Sequence, residues 1–185
     1  MPLGPLVLAS ASPRRKALLE AAGFEVDVRP SNVDEAPLTD ESPAHLVRRL
    51  ARAKAMAAGS HDDIVIAADT TVALGTLILN KPANDDDAKR MLRLLSGQVH
   101  TVWTGWCVKR GSFIQDGVVA TFVTFRILSE ADIAAYLQAG EHRDKAGAYG
   151  IQGAAAVLVS RIEGSLTNVI GLPIDDVVAA VRSIR

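Results

Sequence analysis

The chain has 185 residues, with 20 Lys and Arg set against 21 Asp and Glu, so its formal charge is -1. Such a length can bury a real core, and 49% hydrophobic with 22% charged residues excludes a disordered chain. The near-neutral balance argues against a protein that coats nucleic acid or an anionic membrane surface. No run without a charged residue exceeds 15 residues, the length of Ala146 to Ser160, short of the ~18 apolar residues of a membrane span. The opening Met1-Pro2-Leu3 has no basic n-region, so a secretory signal is not expected. A single cysteine, Cys107, excludes an internal disulfide and a Cys-based zinc site. The chain reads as cytoplasmic, with no membrane and no nucleic-acid partner.

No internal repeat, low-complexity tract or linker breaks the sequence, so residues 1–185 are expected to form one domain. Leu6 to Ala9 reads as a short apolar strand. Ser12-Pro13 supplies an N-cap and a proline at the first helical position, and the helix runs to Gly23. Phe24 to Val28 alternates as a strand does. Ser42-Pro43 repeats the helix start, with an end near Gly59. Ile64 to Ala68 is an unbroken apolar run, the pattern of a strand buried on both faces. Asn84 and Asp85 to Asp87 open a helix that ends at Ser96-Gly97. Val99 to Val108 and Gly117 to Leu128 read as strands. Ser129 with Asp132 predicts a capped helix ending at Gly140. Ala154 to Ile162 is expected to be a strand and Asp175 to Ile184 a closing helix. The mixture indicates an α/β fold with a mixed sheet; no glycine fingerprint follows the first strand, which argues against a doubly wound parallel sheet.

Several residue groups have the chemistry of a phosphate site. In Ser10-Ala11-Ser12-Pro13-Arg14-Arg15 a strand gives way to a helix whose first turn holds two arginines. Helix starts present free N–H groups and partial positive charge. Added cations there are unfavourable unless an anion joins them; two solvated arginines on a capped helix is the bland alternative. Asp69 follows the apolar run and so stands at the carboxyl end of that strand, where it would hold a divalent cation or orient water. Lys54 falls on the inward stripe of Val47, Leu50 and Ala51, and a lysine on the buried side needs an anionic partner unless it snorkels outward. Asn80-Lys81-Pro82 and Asp34-Glu35 add a lysine and two acids. Asp144 to Gly153 carries three glycines around Tyr149 and Gln152, which suggests close backbone approach. His45, His61, His100 and His142 lack metal-ligand spacing and read as surface or capping residues, and Cys107 as inert core.

With LASASPRRKALLEAAG, RLARAKA, AADTTV, NKP, MLRLLSGQVHTVWTG, DKAGAYGIQG and NVIGLP in this order, the sequence resembles the Maf family of nucleoside triphosphate pyrophosphatases nearly end to end. That resemblance implies a long mixed sheet flanked by helices, with two lobes and a central cleft, similar to the inosine triphosphate pyrophosphatases. It implies hydrolysis between the α- and β-phosphates, a requirement for Mg²⁺ or Mn²⁺, and a homodimer. By position, Asp69 matches the catalytic carboxylate and Glu35 a second acid near the metal. Ser10, Arg14, Arg15, Lys54 and Lys81 match the phosphate site; Arg14, Thr70 and Gln152 match positions tied to nucleotide choice. Asn80 stands where Gly or Glu is commoner, and Thr71 where Val or Ile is usual, and neither touches a role.

The expected activity is cleavage of dTTP and UTP to the monophosphate and pyrophosphate, since the DKAGAYGIQG loop with SPRR resembles that branch. Two alternatives remain: a pyrophosphatase of the 7-methyl-GTP branch, and a non-catalytic nucleotide-binding regulator of cell division. Sequence alone does not separate a metal-holding from a water-activating role for Asp69.

Overall fold

The computed structural model describes residues 5–184. The opening residues Met1 to Leu3, on which the reading of the N-terminus rests, lie outside that range. Among the described residues seven strands form one mixed sheet: β1 (Leu6–Leu8), β2 (Val26–Val28), β3 (Val65–Leu74), β4 (Leu77–Leu79), β5 (Val99–Arg110), β6 (Phe113–Phe125) and β7 (Val159–Glu163). Their order is β2-β1-β3-β5-β6-β7, with β4 paired to β3 off this path. β1 runs parallel to β2 and to β3, whereas β3 pairs antiparallel with β4 and β6 with β7. Six helices accompany them: α1 (Pro13–Ala21), α2 (Pro43–Ala57), α3 (Asp85–Leu95), α4 (Glu130–Gln138), α5 (Leu166–Ile170) and α6 (Ile174–Ser183). Among the described residues no helix is long and apolar enough to cross a membrane.

The helix starts follow their local chemistry. Ser12, Ser42, Asn84 and Ser129 each accept a hydrogen bond from the backbone N–H three residues on, satisfying one orphan donor apiece. Ser129 and Asp132 close a reciprocal capping box.

Three strands differ most from the sequence reading. β3 does not stop at Ala68 but continues through Asp69 to Leu74, so Asp69 lies within a strand rather than at its end. The continuation is Thr70-Thr71-Val72, β-branched residues that suit a pleated ladder, and β4 pairs with it from Val72 onward. Residues Gly153–Leu158 form a 3-10 helix and only Val159–Glu163 is strand, because an alanine-rich run offers little β preference. β6 begins at Phe113, well before Gly117, since Gly111-Ser112 alone turns the chain back from β5.

The chain divides into two compact units. The first comprises residues 1–69, 104–119 and 171–185. Here the period-2 alternation of β1 and β3 sends side chains to opposite faces. Leu6, Leu8, Ile66 and Ala68 pack with Leu19 of α1 and with Val177, Ala180 and Val181 of α6. Val7, Ala9, Val65 and Ala67 pack with Ala51 and Ala55 of α2. Asp69 is in phase with Val65 and Ala67, so its side chain points to the α2 face. The helix lies close there because small residues allow it. A Cβ on Gly105 of β5 would fall 2.2 Å from the Val47 carbonyl oxygen. Only glycine fits that approach.

The second unit comprises residues 70–103 and 120–170. Its core takes Ala88, Met91, Leu92 and Leu95, the i, i+3, i+4, i+7 stripe of α3, with Ile133 and Tyr136 of α4. Val72, Val102, Val123 and Phe125 supply the strand side.

Candidate active site

Lys54 is the centre of the first unit's polar cluster. Its position on the inward stripe of α2 leaves it 7% exposed, and a buried ammonium needs anions. Two meet it. Asp69 Oδ1 lies 2.7 Å from Nζ and Glu35 Oε1 2.6 Å. The bland alternative of a snorkelling lysine therefore does not hold. Asp69 reaches Lys54 because of the strand phase described above, and Glu35 reaches it from the loop between β2 and α2. Exposure rises outward, from 9% for the Lys54 side chain through 14% for Asp69 to 52% for Glu35.

The start of α1 supplies a second polar group in the same unit. Arg15 donates from Nε to the Gly171 carbonyl at 2.7 Å and from a terminal nitrogen to Ser10 Oγ at 3.0 Å. Ser10 Oγ also accepts from the Ser12 N–H at 3.2 Å. With both lone pairs engaged, Ser10 keeps its O–H to offer an acceptor such as a phosphate oxygen. Burial pushes the Arg15 guanidinium below its ordinary value, against the raising influence of Asp69, and Arg14 beside it lowers it further. A desolvated arginine next to another cation, on a helix start with no acid in its first turn, is a locus that favours an anion. Arg14 is half-buried in that turn.

Thr70, Lys81 and Gln152 belong to the second unit. Thr70 is half-buried on β3; Lys81 is exposed directly after β4, and Gln152 is exposed in the Asp144 to Gly153 loop. Contacts within that loop and at its exit pin it. The Gly147 N–H donates to the Asn80 carbonyl at 3.2 Å, which ties it to the residue before Lys81. The Ala154 N–H donates to Glu141 Oε2 at 3.1 Å. Tyr149 is buried and its hydroxyl lies 2.7 Å from His100 Nε2. Gly147 takes φ +67 with Val72 2.9 Å from where a Cβ would stand, so both conformation and space require glycine.

Two histidines depart from the surface or capping role expected of them. His100 and His142 are 1% and 0% exposed; His142 Nε2 sits 2.9 Å from Asp85 Oδ1. Cys107 is core as expected, its thiol pushed up to about 11 by burial. Among the described residues no group of three or more His, Cys, Asp or Glu is placed to hold a metal by itself. Sequence reasoning missed Gly105 and the Gly171 carbonyl. A lone glycine inside the apolar run Val102 to Val108 was a legible sign of close approach; a backbone acceptor 156 positions from Arg15 carries none.

The family model described as Maf-like protein matches residues 5–184. A relative from Anaeromyxobacter dehalogenans (strain 2CP-C) is 48% identical over 96% of this chain and 92% of its own length. One from Geobacter sulfurreducens is 47% identical over 100% and 98%, and one from Pyrococcus furiosus 46% over 91% and 90%. All three bear the name dTTP/UTP pyrophosphatase. With a family model covering the whole described chain and relatives matched over at least nine-tenths of it, the chain belongs to the Maf-like protein family.

Proposed function

We propose that the chain is a nucleoside triphosphate pyrophosphatase that hydrolyses dTTP and UTP to the monophosphate and pyrophosphate. The observation that carries this reading is the convergence of Asp69 and Glu35 on Lys54, in the unit that also holds the cation-rich start of α1. The relatives' shared name gives the substrates.

The two carboxylates fit a hard divalent cation such as Mg²⁺ or Mn²⁺. They meet at one ammonium, and Mg²⁺ commonly takes one or two carboxylates with phosphate oxygens and water completing its sphere. Asp69 and Glu35 would hold it, and when bound it would neutralise charge at the scissile phosphate. Lys54 fixes the carboxylates and adds positive charge. Ser10, Arg14 and Arg15 bind phosphate oxygens, and Lys81 supplies a further cation. Asp69 accepts a proton from water, whose oxygen bonds to the α-phosphorus while the bond to the bridging oxygen of the β-phosphate breaks. Pyrophosphate departs with that oxygen.

Gln152 and Thr70 are proposed to read the base. Thymine and uracil present two carbonyls around one N–H, which the donor and acceptor of a glutamine amide can pair. Cytosine replaces a carbonyl with an amino group and would leave polar atoms unpaired, at about 1–3 kcal/mol. We take residues 1–185 to act as one cytoplasmic domain and the protein as a homodimer, the commonest assembly in general.

The test is pyrophosphate release by purified protein with Mg²⁺ across the common triphosphates and 7-methyl-GTP. A preference for dTTP and UTP over dCTP and CTP of at least about tenfold in kcat/KM is expected, and Gln152→Ala should erode it. Preference for 7-methyl-GTP would overturn the substrate assignment, and no release from any triphosphate would overturn the enzymatic one. A 19.6 kDa particle by light scattering would contradict the dimer.

A further inference from the structure

Glu35 raises a positional question that Asp69 does not. Asp69 is fixed by a ladder of backbone hydrogen bonds, whereas Glu35 belongs to the connection between β2 and α2, which has no helix or strand of its own. Residues 34–40 are all exposed. A carboxylate on such a segment stays on Lys54 only if something offsets the entropy of ordering the loop.

That something is visible on α2. The Arg49 guanidinium donates from Nε to Glu41 Oε1 at 2.6 Å and from a terminal nitrogen to Glu41 Oε2 at 2.7 Å, a bidentate pair. The same terminal nitrogen donates to the carbonyl of Ala36 at 3.0 Å, the residue after Glu35. The Ala36 N–H donates to Asp34 Oδ1 at 2.9 Å, and the Leu38 N–H to Glu41 Oε2 at 3.0 Å. Glu41 is only 7% exposed at its side chain, so this pair is not an ordinary solvated surface bridge. One guanidinium thus grips the loop at two places, and it rides on the helix that carries Lys54.

We propose that Arg49, through Glu41 and the Ala36 carbonyl, is a positioning residue that holds Glu35 at Lys54 and so completes the two-carboxylate site. The inference rests on the catalytic reading of Glu35 given above. Arg49 holds the Glu41 carboxyl down to about 2, so the grip stays ionised across any neutral working range.

The experiment compares Arg49→Gln, Arg49→Lys and Glu41→Gln, each alone and with Glu35→Gln, by steady-state kinetics on dTTP with Mg²⁺ and by hydrogen exchange of the segment from residue 30 to 42. Arg49→Gln should lower kcat at least about tenfold and speed exchange in the segment, while KM changes less. Arg49→Lys should not rescue, because an ammonium lacks the two-pronged geometry. Glu41→Gln keeps size and should show the same pattern in milder form, which covers the case of an Arg49 variant that does not fold. In Glu35→Gln the further loss from Arg49→Gln should shrink below about threefold, since the group being positioned is gone. Full multiplication of the two losses would overturn the proposal. So would unchanged segment exchange in both Arg49→Gln and Glu41→Gln, a result that holds whether or not the wild-type protein releases pyrophosphate. Failure of the wild type to release it, with exchange behaving as expected, would strike the catalytic reading instead.

Discussion

Each of the two units holds a polar cluster, and the two are built on opposite electrostatic terms. In the first, Lys54 faces Glu35 and Asp69, all of them charged groups, with exposure increasing from the lysine outward. In the second, His100 and Tyr149 form one hydrogen bond at 2.7 Å and pack edge-on against Phe125, with ring centroids 5.0 and 4.8 Å away. Burial pushes His100 down to about 4 and raises Tyr149 beyond its usual range, so both are neutral. A neutral pair is the economical way to pin a loop, because no ion has to be desolvated. Charge is retained in the cluster that is proposed to exchange partners with a ligand. The helix starts differ in the same sense. α3 in the second unit neutralises its own dipole with Asp85, Asp86 and Asp87, while α1 in the first has no acid in its first turn and two arginines instead.

The sharpest way to break this contrast is Asp69→Asn, which removes charge at nearly constant volume. Turnover should fall by at least a hundredfold, about 2.7 kcal/mol of barrier, with a melting temperature that moves by only a few degrees. Activity within about threefold of wild type would place Asp69 with the merely structural polar groups. Next in size is Gly105→Ala, which would push a methyl into the Val47 carbonyl and lift α2 with Lys54 upon it. We expect a loss of about 1–3 kcal/mol in denaturant unfolding, accompanied by a fall in kcat; stability lost without kcat would show that Lys54 follows the helix freely.

The second cluster should respond in the opposite order. Tyr149→Phe leaves His100 without its buried partner and should destabilise by about 1–2 kcal/mol, with kcat for dTTP within about threefold of wild type. Equal losses in both measures would dissolve the distinction between the clusters. A further effect is one of pH. The folded state holds His100 neutral down to about 4, whereas the unfolded chain protonates it near its ordinary value of ~6.5. The unfolded state then binds more protons, so stability declines as pH falls through that window. Urea midpoints measured at steps from pH 7 to 4 should show the decline, and a shallower slope in His100→Gln would assign it.

Much of this was legible in the chain itself, and the parts that were not share a cause. Helix starts could be read because Ser12, Ser42, Asn84 and Ser129 act on N–H groups three residues away, and α3 because its stripe is periodic. Lys54 could be placed on the buried side by the same periodicity. The end of β3 was misplaced at Ala68 because an aspartate interrupts an apolar run, although Thr70 to Val72 continue the β-branched pattern and β4 pairs with it. The strand expected from Ala154 failed for the reverse reason, apolar residues without β-branching. The sequence reads His100 and His142 as surface or capping residues because a titratable side chain gives no sign, in sequence, of a buried partner at Tyr149 or Asp85.

The sequence by itself determined the period that puts Asp69, once its strand continues past Ala68, in phase with Val65 and Ala67, the stripe that turns Lys54 inward, and the unbalanced charge at the start of α1. Those are local properties, set by strand and helix periods and by the helix dipole. Only the tertiary structure decided that Glu35 joins Lys54 from an irregular loop, that Arg49 grips that loop, that Gly105 lets α2 come close, and that the Gly171 carbonyl holds Arg15. Each of these depends on where distant chain segments meet, and contact between segments far apart in sequence is fixed by packing of the whole fold, which no local pattern encodes.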